Sequence, residues 1–184
     1  MIKKTVFAGF GGQGVLLMGY ILAVACMRDG KYVTYLPSYG AEVRGGTANC
    51  TVSVGDEEIA SPVASFPDYG VVLNKPSMLK YEGVIRESGL MILNSSMIDT
   101  APARDDIEVV KVPANELAEE LGNERVLNII MLGAFVQKTG LTSIDSIGKA
   151  LQEVFKEKAT SKMMKLNERA LEKGSQFVLK GDRI

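Results

Sequence analysis

The sequence predicts an α/β fold: a Rossmann-like, three-layer sandwich with a mostly parallel sheet, helices on both faces and a helical C-terminal part. Short, continuous apolar runs recur through residue 112, as in strands that are covered on both faces. A glycine-rich turn separates the first of these runs from a long apolar helix. From residue 113 onward, apolar residues recur at helical spacing. We expect residues 1–184 to form a single domain.

The first part of the chain predicts a strand, a glycine turn, a helix and a second strand. Residues 4–8 (KTVFA) are β-branched and aromatic, and residues 15–27 form an apolar helix that ends at Asp29-Gly30. The next strand is predicted at residues 31–36 (KYVTYL), which gives a βαβ opening. The same criteria predict further strands at residues 47–54, 70–73, 90–93 and 107–112.

The second part predicts four helices. The first begins at Pro113, has an acidic residue in its first turn and stops at Gly122. The second, at residues 125–138, is apolar nearly all round. A capping box at residues 142–145 opens the third, which has one apolar face. The last runs from about residue 160 to residue 173 and is predicted to stop at Gly174.

The composition excludes most self-contained chemistries. The 184 residues include no histidine and only two cysteines, Cys26 and Cys50. Without histidine there is no Ser-His-Asp or Cys-His nucleophile pair and no histidine-containing metal site. Two thiolates cannot hold an iron–sulfur cluster, which takes about four, and a disulfide between them has no support. We therefore predict no catalytic residue and no metal ligand in this chain.

Charge and apolar patterning indicate the compartment and the class of partner. The formal net charge is -1, so the chain has no electrostatic reason to bind nucleic acid or an anionic membrane. The N-terminal sequence does not resemble a secretory signal, and the longest apolar run is shorter than the ~20 residues of a bilayer helix. We expect a cytoplasmic protein.

The sharpest local motif is GFGGQG at residues 9–14, between the first strand and the first helix. In this context glycines permit a tight turn and let backbone N–H groups approach a phosphate at the positive end of the helix. The alternative is that they only let the helix pack closely on its strand. A dinucleotide site, or an adenylating site with a GxGGxG loop, also needs an acidic residue after the second strand. That strand ends in Tyr35-Leu36-Pro37-Ser38, so both identities are weakened.

A second motif, SYGAEVRGGTANC at residues 38–50, follows the second strand and should lie at the same sheet edge as the glycine turn. Arg44 could clamp a carboxylate or phosphate with two hydrogen bonds. Equally, Glu42 and Arg44 could pair and order their own loop.

Two further features each have two explanations. Asn128 is the one polar residue in the apolar run 126–136, where a buried amide needs hydrogen bonds, so it either supports the fold or lines a site. The helices at residues 15–27 and 126–136 are too apolar for one sheet face. Together with nine methionines they suggest a partner surface or self-association of the isolated chain. The alternative is burial between the sheet and outer helices.

The motifs together resemble the gamma subunit, or gamma domain, of 2-oxoacid:ferredoxin oxidoreductases. The resemblance rests on GFGGQGV, YGAEVRGGTANC and IASP at residues 59–62, and continues through LGN at residues 121–123, LGAF at residues 132–135 and Gly174. It favours the 2-oxoglutarate or general 2-oxoacid branch over the pyruvate branch. It implies a holoenzyme that converts a 2-oxoacid and coenzyme A to acyl-CoA, carbon dioxide and reduced ferredoxin.

The resemblance also implies how the work is divided. Thiamine diphosphate, Mg²⁺ and iron–sulfur clusters would be held by alpha, beta and, where present, delta subunits. This chain would interact with ferredoxin only indirectly, through those subunits. This chain lacks the GDG motif with paired asparagines and the CxxCxxC run that those groups need. The residues expected at its own ligand site are Gly9, Gly11, Gly12, Gln13, Gly14, Tyr39, Glu42, Arg44, Gly45, Gly46 and Asn128. The alternative function is a free-standing nucleotide-binding enzyme, either a dinucleotide reductase or an adenylating enzyme.

Overall fold

A computed structural model describes residues 1–39, 47–156 and 160–181. Its six strands are β1 (Lys3–Phe10), β2 (Tyr32–Tyr39), β3 (Thr47–Gly55), β4 (Tyr69–Val72), β5 (Leu90–Asn94) and β6 (Glu108–Val112). Its α-helices are α1 (Val15–Arg28), α2 (Lys75–Tyr81), α3 (Ala114–Glu120), α4 (Leu127–Thr139), α5 (Ile144–Phe155) and α6 (Ser161–Leu179), and a 3-10 turn, Glu124–Val126, precedes α4. All six predicted strands and all five predicted helices are present.

The strands form one mixed sheet in the order β2-β3-β1-β4-β5-β6. β1, β4, β5 and β6 pair in parallel, whereas β3 pairs antiparallel with both β1 and β2. The predicted α/β class with a mostly parallel sheet is therefore confirmed. The βαβ opening is modified, because β3 lies between the two strands that the first helix connects.

The sheet is covered unequally on its two faces. Consecutive residues of β1 point to opposite faces, so Phe7 joins the large apolar core with α1 and α4, while Val6 joins a smaller core with Met78 of α2. Behind α1 and α4, the helices α5 and α6 form an outer layer on the same side. Within the three described ranges, every helix is too short or too polar to span a bilayer.

The two helices that are apolar nearly all round are buried within the chain itself. α4 packs between β5 and α6, and nine of its residues, 128–136, are buried. α1 packs between the β1–β3 part of the sheet and α5, and Tyr20 and Met27 are its only exposed large apolar residues. The composition of these helices therefore reflects a central position between layers, and it does not indicate a partner surface.

The predicted helix stop at Gly174 is wrong, since α6 continues to Leu179. Gly174 lies where α6 crosses α4, and a Cβ there would overlap the carbonyl oxygen of Ile130 and stand 2.8 Å from its carbonyl carbon. Glycine is therefore present for close helix packing. The helix α2 was not predicted from the sequence. Asn74 caps its first turn by accepting a hydrogen bond from the Ser77 N–H at 2.9 Å.

Candidate functional site

The glycine turn at residues 9–14 connects the carboxyl end of β1 to the amino end of α1. Gly9 is buried, and a Cβ there would stand 2.7 Å from the Gln13 Oε1 atom and 2.9 Å from a methyl group of Val15. Gly12 has a φ of 94° and nothing within 4 Å of its Cβ position. Thus Gly9 permits tight packing, and Gly12 is needed because its backbone is left-handed and faces open space.

Gln13 closes this turn through two hydrogen bonds. Its side-chain Oε1 accepts from the Phe10 N–H at 2.7 Å, and its own N–H donates to the Phe10 carbonyl at 3.2 Å. Gln13 therefore shapes the turn from within. Among the described residues, no hydrogen-bond partner takes the N–H groups of Gly11, Gly12 or Gly14.

Gly14 is the N-cap residue of α1 and has a φ of 76°. Its carbonyl accepts the first hydrogen bond of the helix, from the Met18 N–H at 3.0 Å, and the Asn128 Nδ2 group also donates to it at 3.4 Å. A Cβ at Gly14 would stand 2.8 Å from the Asn128 Cγ atom. The structure therefore brings Asn128 of α4 against the glycine turn, although the two lie 114 positions apart in sequence.

A cavity of about 310 Å³ lies over this turn. It is lined by Phe10, Gly11, Gly12 and Gly14, by the first turn of α1 and by Ala48 of β3. This described lining carries no nucleophile, no acid or base and no charged side chain. The side chains of this lining are all apolar. A polar ligand would therefore meet the backbone of the turn and the positive end of the α1 dipole, an arrangement that is typical of anion sites.

The last residue of β2 and the first residues of β3 lie beside this cavity. Tyr39 pairs with Ala48, which pairs in turn with Gly9, and Thr47 pairs with Phe10. The backbone of Tyr39 is thus placed at the same sheet edge as the glycine turn. The other four predicted site residues of this motif, Glu42, Arg44, Gly45 and Gly46, lie outside the described residues.

The insertion of β3 also changes the geometry expected of a dinucleotide site. In that site the strand after the first helix lies next to the first strand, so that its terminal acid reaches the ribose. Here β3 separates β2 from β1, and residues 35–39 at the end of β2 carry no acid. Sequence reasoning could not have found this insertion, because strand order depends on contacts that are distant in sequence.

The two cysteines are both buried and unbridged. Burial raises the pKa of Cys26 and of Cys50 to about 12. At neutral pH both are protonated thiols inside the large apolar core, so neither has the character of a nucleophile or of a cluster ligand.

A second cavity, of about 330 Å³, lies at the amino ends of β1, β4 and β5, and its buried charge, Asp68, is already paired. The buried Asp68 carboxylate accepts hydrogen bonds from Lys3 at 3.1 Å, from Arg86 at 2.8 Å and from the Lys4 N–H at 2.9 Å. Burial raises the pKa of Asp68, but these three donors outweigh it and hold the pKa below its usual value. We interpret this group as a clamp that ties β1 to the start of β4.

Fold and site together define an α/β domain with a glycine turn whose backbone N–H groups at Gly11, Gly12 and Gly14 have no partner among the described residues. The described lining of the cavity over this turn carries no catalytic side chain. A family model described as pyruvate ferredoxin/flavodoxin oxidoreductase matches residues 4–177. The chain belongs to this family, as the resemblance predicted.

Curated relatives are named for several 2-oxoacids. The chain is 37% identical over 179 residues to ketoisovalerate oxidoreductase subunit VorA of Methanothermobacter marburgensis, covering 96% of this chain and 37% of that protein. It is 32% identical over 188 residues to 2-oxoglutarate synthase subunit KorC of Methanothermobacter thermautotrophicus, covering 98% of this chain and 97% of KorC. The chain thus spans about a third of the first relative and nearly all of the second.

A solved structure of the same kind shares the fold. The keto/oxoacid ferredoxin oxidoreductase gamma subunit from Geobacter sulfurreducens superimposes with a TM-score of 0.83 at 28% sequence identity. The match covers 97% of this chain and 99% of that subunit. The relatives favour the oxidoreductase-subunit interpretation over the free-standing nucleotide-binding enzyme.

Proposed function

We propose that residues 1–184 act as a single gamma domain, the gamma subunit of a multi-subunit 2-oxoacid:ferredoxin oxidoreductase in the cytoplasm. The complex would oxidatively decarboxylate a 2-oxoacid with coenzyme A, giving acyl-CoA, carbon dioxide and reduced ferredoxin. The observation that carries this proposal is the match to KorC over nearly the whole of both chains. The substrate class extends from 2-oxoglutarate to branched 2-oxoacids, for which KorC and VorA are named.

Within such a complex the cofactors belong to partner subunits. An iron–sulfur cluster needs about four accessible thiolates, whereas Cys26 and Cys50 are two buried thiols that do not fit it. Thiamine diphosphate and Mg²⁺ would also be held by the alpha, beta or delta chains. When bound there, thiamine diphosphate supplies the carbanion chemistry and the clusters carry electrons towards ferredoxin.

The part assigned to this chain is to hold and orient an anionic ligand. The N–H groups of Gly11, Gly12 and Gly14 point to no partner among the described residues and lie at the positive end of α1. A phosphate of coenzyme A or the carboxylate of the 2-oxoacid suits this arrangement. Because the described lining carries no cation, we propose that Arg44 supplies the charge, with Tyr39, Glu42, Gly45 and Gly46 completing the site.

The test is Arg44→Ala in the assembled complex. Loss of a charge-assisted pair should raise the KM for coenzyme A, or for the 2-oxoacid, by about tenfold or more. The matched control is Arg28→Ala, which removes a guanidinium that pairs with Glu153 on α5. Kinetics unchanged in Arg44→Ala, or changed equally in both variants, would contradict the assignment of Arg44.

A further inference from the structure

We infer that Asn128 is a positioning residue that fixes the glycine turn in its anion-binding shape by holding Gly14, and that it does not itself contact the ligand. The inference rests on the proposed function for its ligand, but its geometry stands on the described residues alone.

Asn128 is placed for this role by burial and by sterics. Its side chain is only 4% exposed, in the first turn of a helix that is otherwise apolar there. Its Nδ2 group donates to the Gly14 carbonyl, and the space where a Gly14 Cβ would lie is filled by the amide. Asn128 is not among the residues that line the cavity over the turn, so its amide contacts Gly14 from outside that cavity.

Gly14 is the residue through which this contact acts on the ligand site. Its left-handed backbone sets the direction of its own N–H and the start of α1, and its carbonyl accepts from Met18 as well as from Asn128. Gln13 also stabilises the turn, but among the described residues both of its hydrogen bonds are to Phe10, within the turn itself. Gly9 and Phe10 are already held by their pairing with β3, so Asn128 is the residue that ties the other end of the turn, at Gly14, to a helix outside it.

The experiment compares Asn128→Leu with Asn167→Leu. Asn167 on α6 is equally buried at 4% exposed, and its Nδ2 group has no partner among the described residues, so the same change there removes no hydrogen bond. Asn128→Ala serves as a second variant in case leucine disturbs folding. Thermal unfolding of each full chain checks that the fold is retained.

The first readout needs no ligand. The amides of Gln13 and Met18 are protected by hydrogen bonds to Phe10 and Gly14, so their hydrogen exchange reports on the turn. We expect exchange at both to speed up about fivefold in Asn128→Leu, the effect of one net hydrogen bond, and to be unchanged in Asn167→Leu. Equal exchange in Asn128→Leu and the wild-type chain, or an equal acceleration in Asn167→Leu, would overturn the inference.

The second readout separates this inference from the proposed function. In the assembled complex, Asn128→Leu should raise the KM for coenzyme A or the 2-oxoacid about fivefold while kcat stays within about twofold. Faster hydrogen exchange at Gln13 and Met18 with both KM values unchanged would still show that Asn128 stabilises the turn. It would contradict the proposal that the turn binds either substrate.

Discussion

The crossing of α4 and α6 yields a prediction in which one substitution has opposite effects at two helical glycines. A Cβ at Gly174 would overlap the Ile130 carbonyl oxygen and stand 3.0 Å from the Ala134 nitrogen. Both neighbours are backbone atoms, so Gly174→Ala requires the helices to move apart by about 1 Å, whereas a side chain could have rotated away. In contrast, a Cβ at Gly148 on α5 would meet nothing within 4 Å.

The magnitudes follow from these contacts. Overpacking against a rigid neighbour costs about 3 kcal/mol, from which the better helix propensity of alanine subtracts about 1 kcal/mol. Gly174→Ala should therefore lower the free energy of unfolding by about 2 kcal/mol and the Tm by about 4 to 8 °C for a chain of this size. Gly148→Ala has only the propensity gain and should raise stability by up to about 1 kcal/mol.

The assay is urea unfolding of each full chain, followed by circular dichroism, with thermal melts beside it. Equal stability of Gly174→Ala and the wild-type chain, or a shift in the same direction as Gly148→Ala, would refute the close crossing. If the slope of the unfolding free energy with urea concentration, the m-value, is unchanged in both variants, the compactness of the folded and unfolded states has not changed.

Two further predictions concern the buried ionisable groups. Asp68→Asn should cost about 2 kcal/mol at pH 7, because Lys3 and Arg86 lose their charged acceptor. Since the folded-state pKa of Asp68 is lowered, its stabilising effect is present above the unfolded pKa of about 4 and is lost as pH falls through the folded value. Urea midpoints for the two chains should therefore converge below about pH 3, and a gap that is constant with pH would contradict the charged clamp. The pKa values of Cys26 and Cys50 are about 12, so neither thiol should react with a thiol reagent at pH 8 in the folded chain, and both should react in urea. Rapid labelling of either thiol in the folded chain would contradict their burial.

Much of the fold could be predicted because its elements are encoded locally. The start of α1 after Gly14, the start of α5 beside residues 142–145 and the ends of the buried strands all follow from residues next to one another in sequence. The cap of α5 is Ser143, one residue later than the predicted box places it. The order of the strands could not be predicted, because nothing near residues 47–55 indicates that they pair between β1 and β2. The helix stop predicted at Gly174 was wrong for a related reason. Glycine ends helices and also permits two helices to cross closely, and only the position of α4 distinguishes these two roles.

The candidate site was predictable in part. The glycine turn was located from its strand and helix neighbours, and Asn128 was singled out as the one polar residue in an apolar run. Its contact with Gly14 could not be predicted, because it bridges 114 positions and depends on how α4 packs beside α1. A signal for α2 was available in Asn74 and Pro76, a capping residue followed by a proline in the first turn.

Reconstitution of the complex tests whether this chain is a dependent part of a 2-oxoacid:ferredoxin oxidoreductase. The partner chains would be purified with and without this chain, and reduction of ferredoxin by a 2-oxoacid and coenzyme A would be measured in each preparation. We expect activity only when the chain is present, and no binding of NAD(H) or ATP by the chain alone. Full activity without the chain, or micromolar to millimolar binding of either nucleotide to the isolated chain, would show that it is not such a subunit.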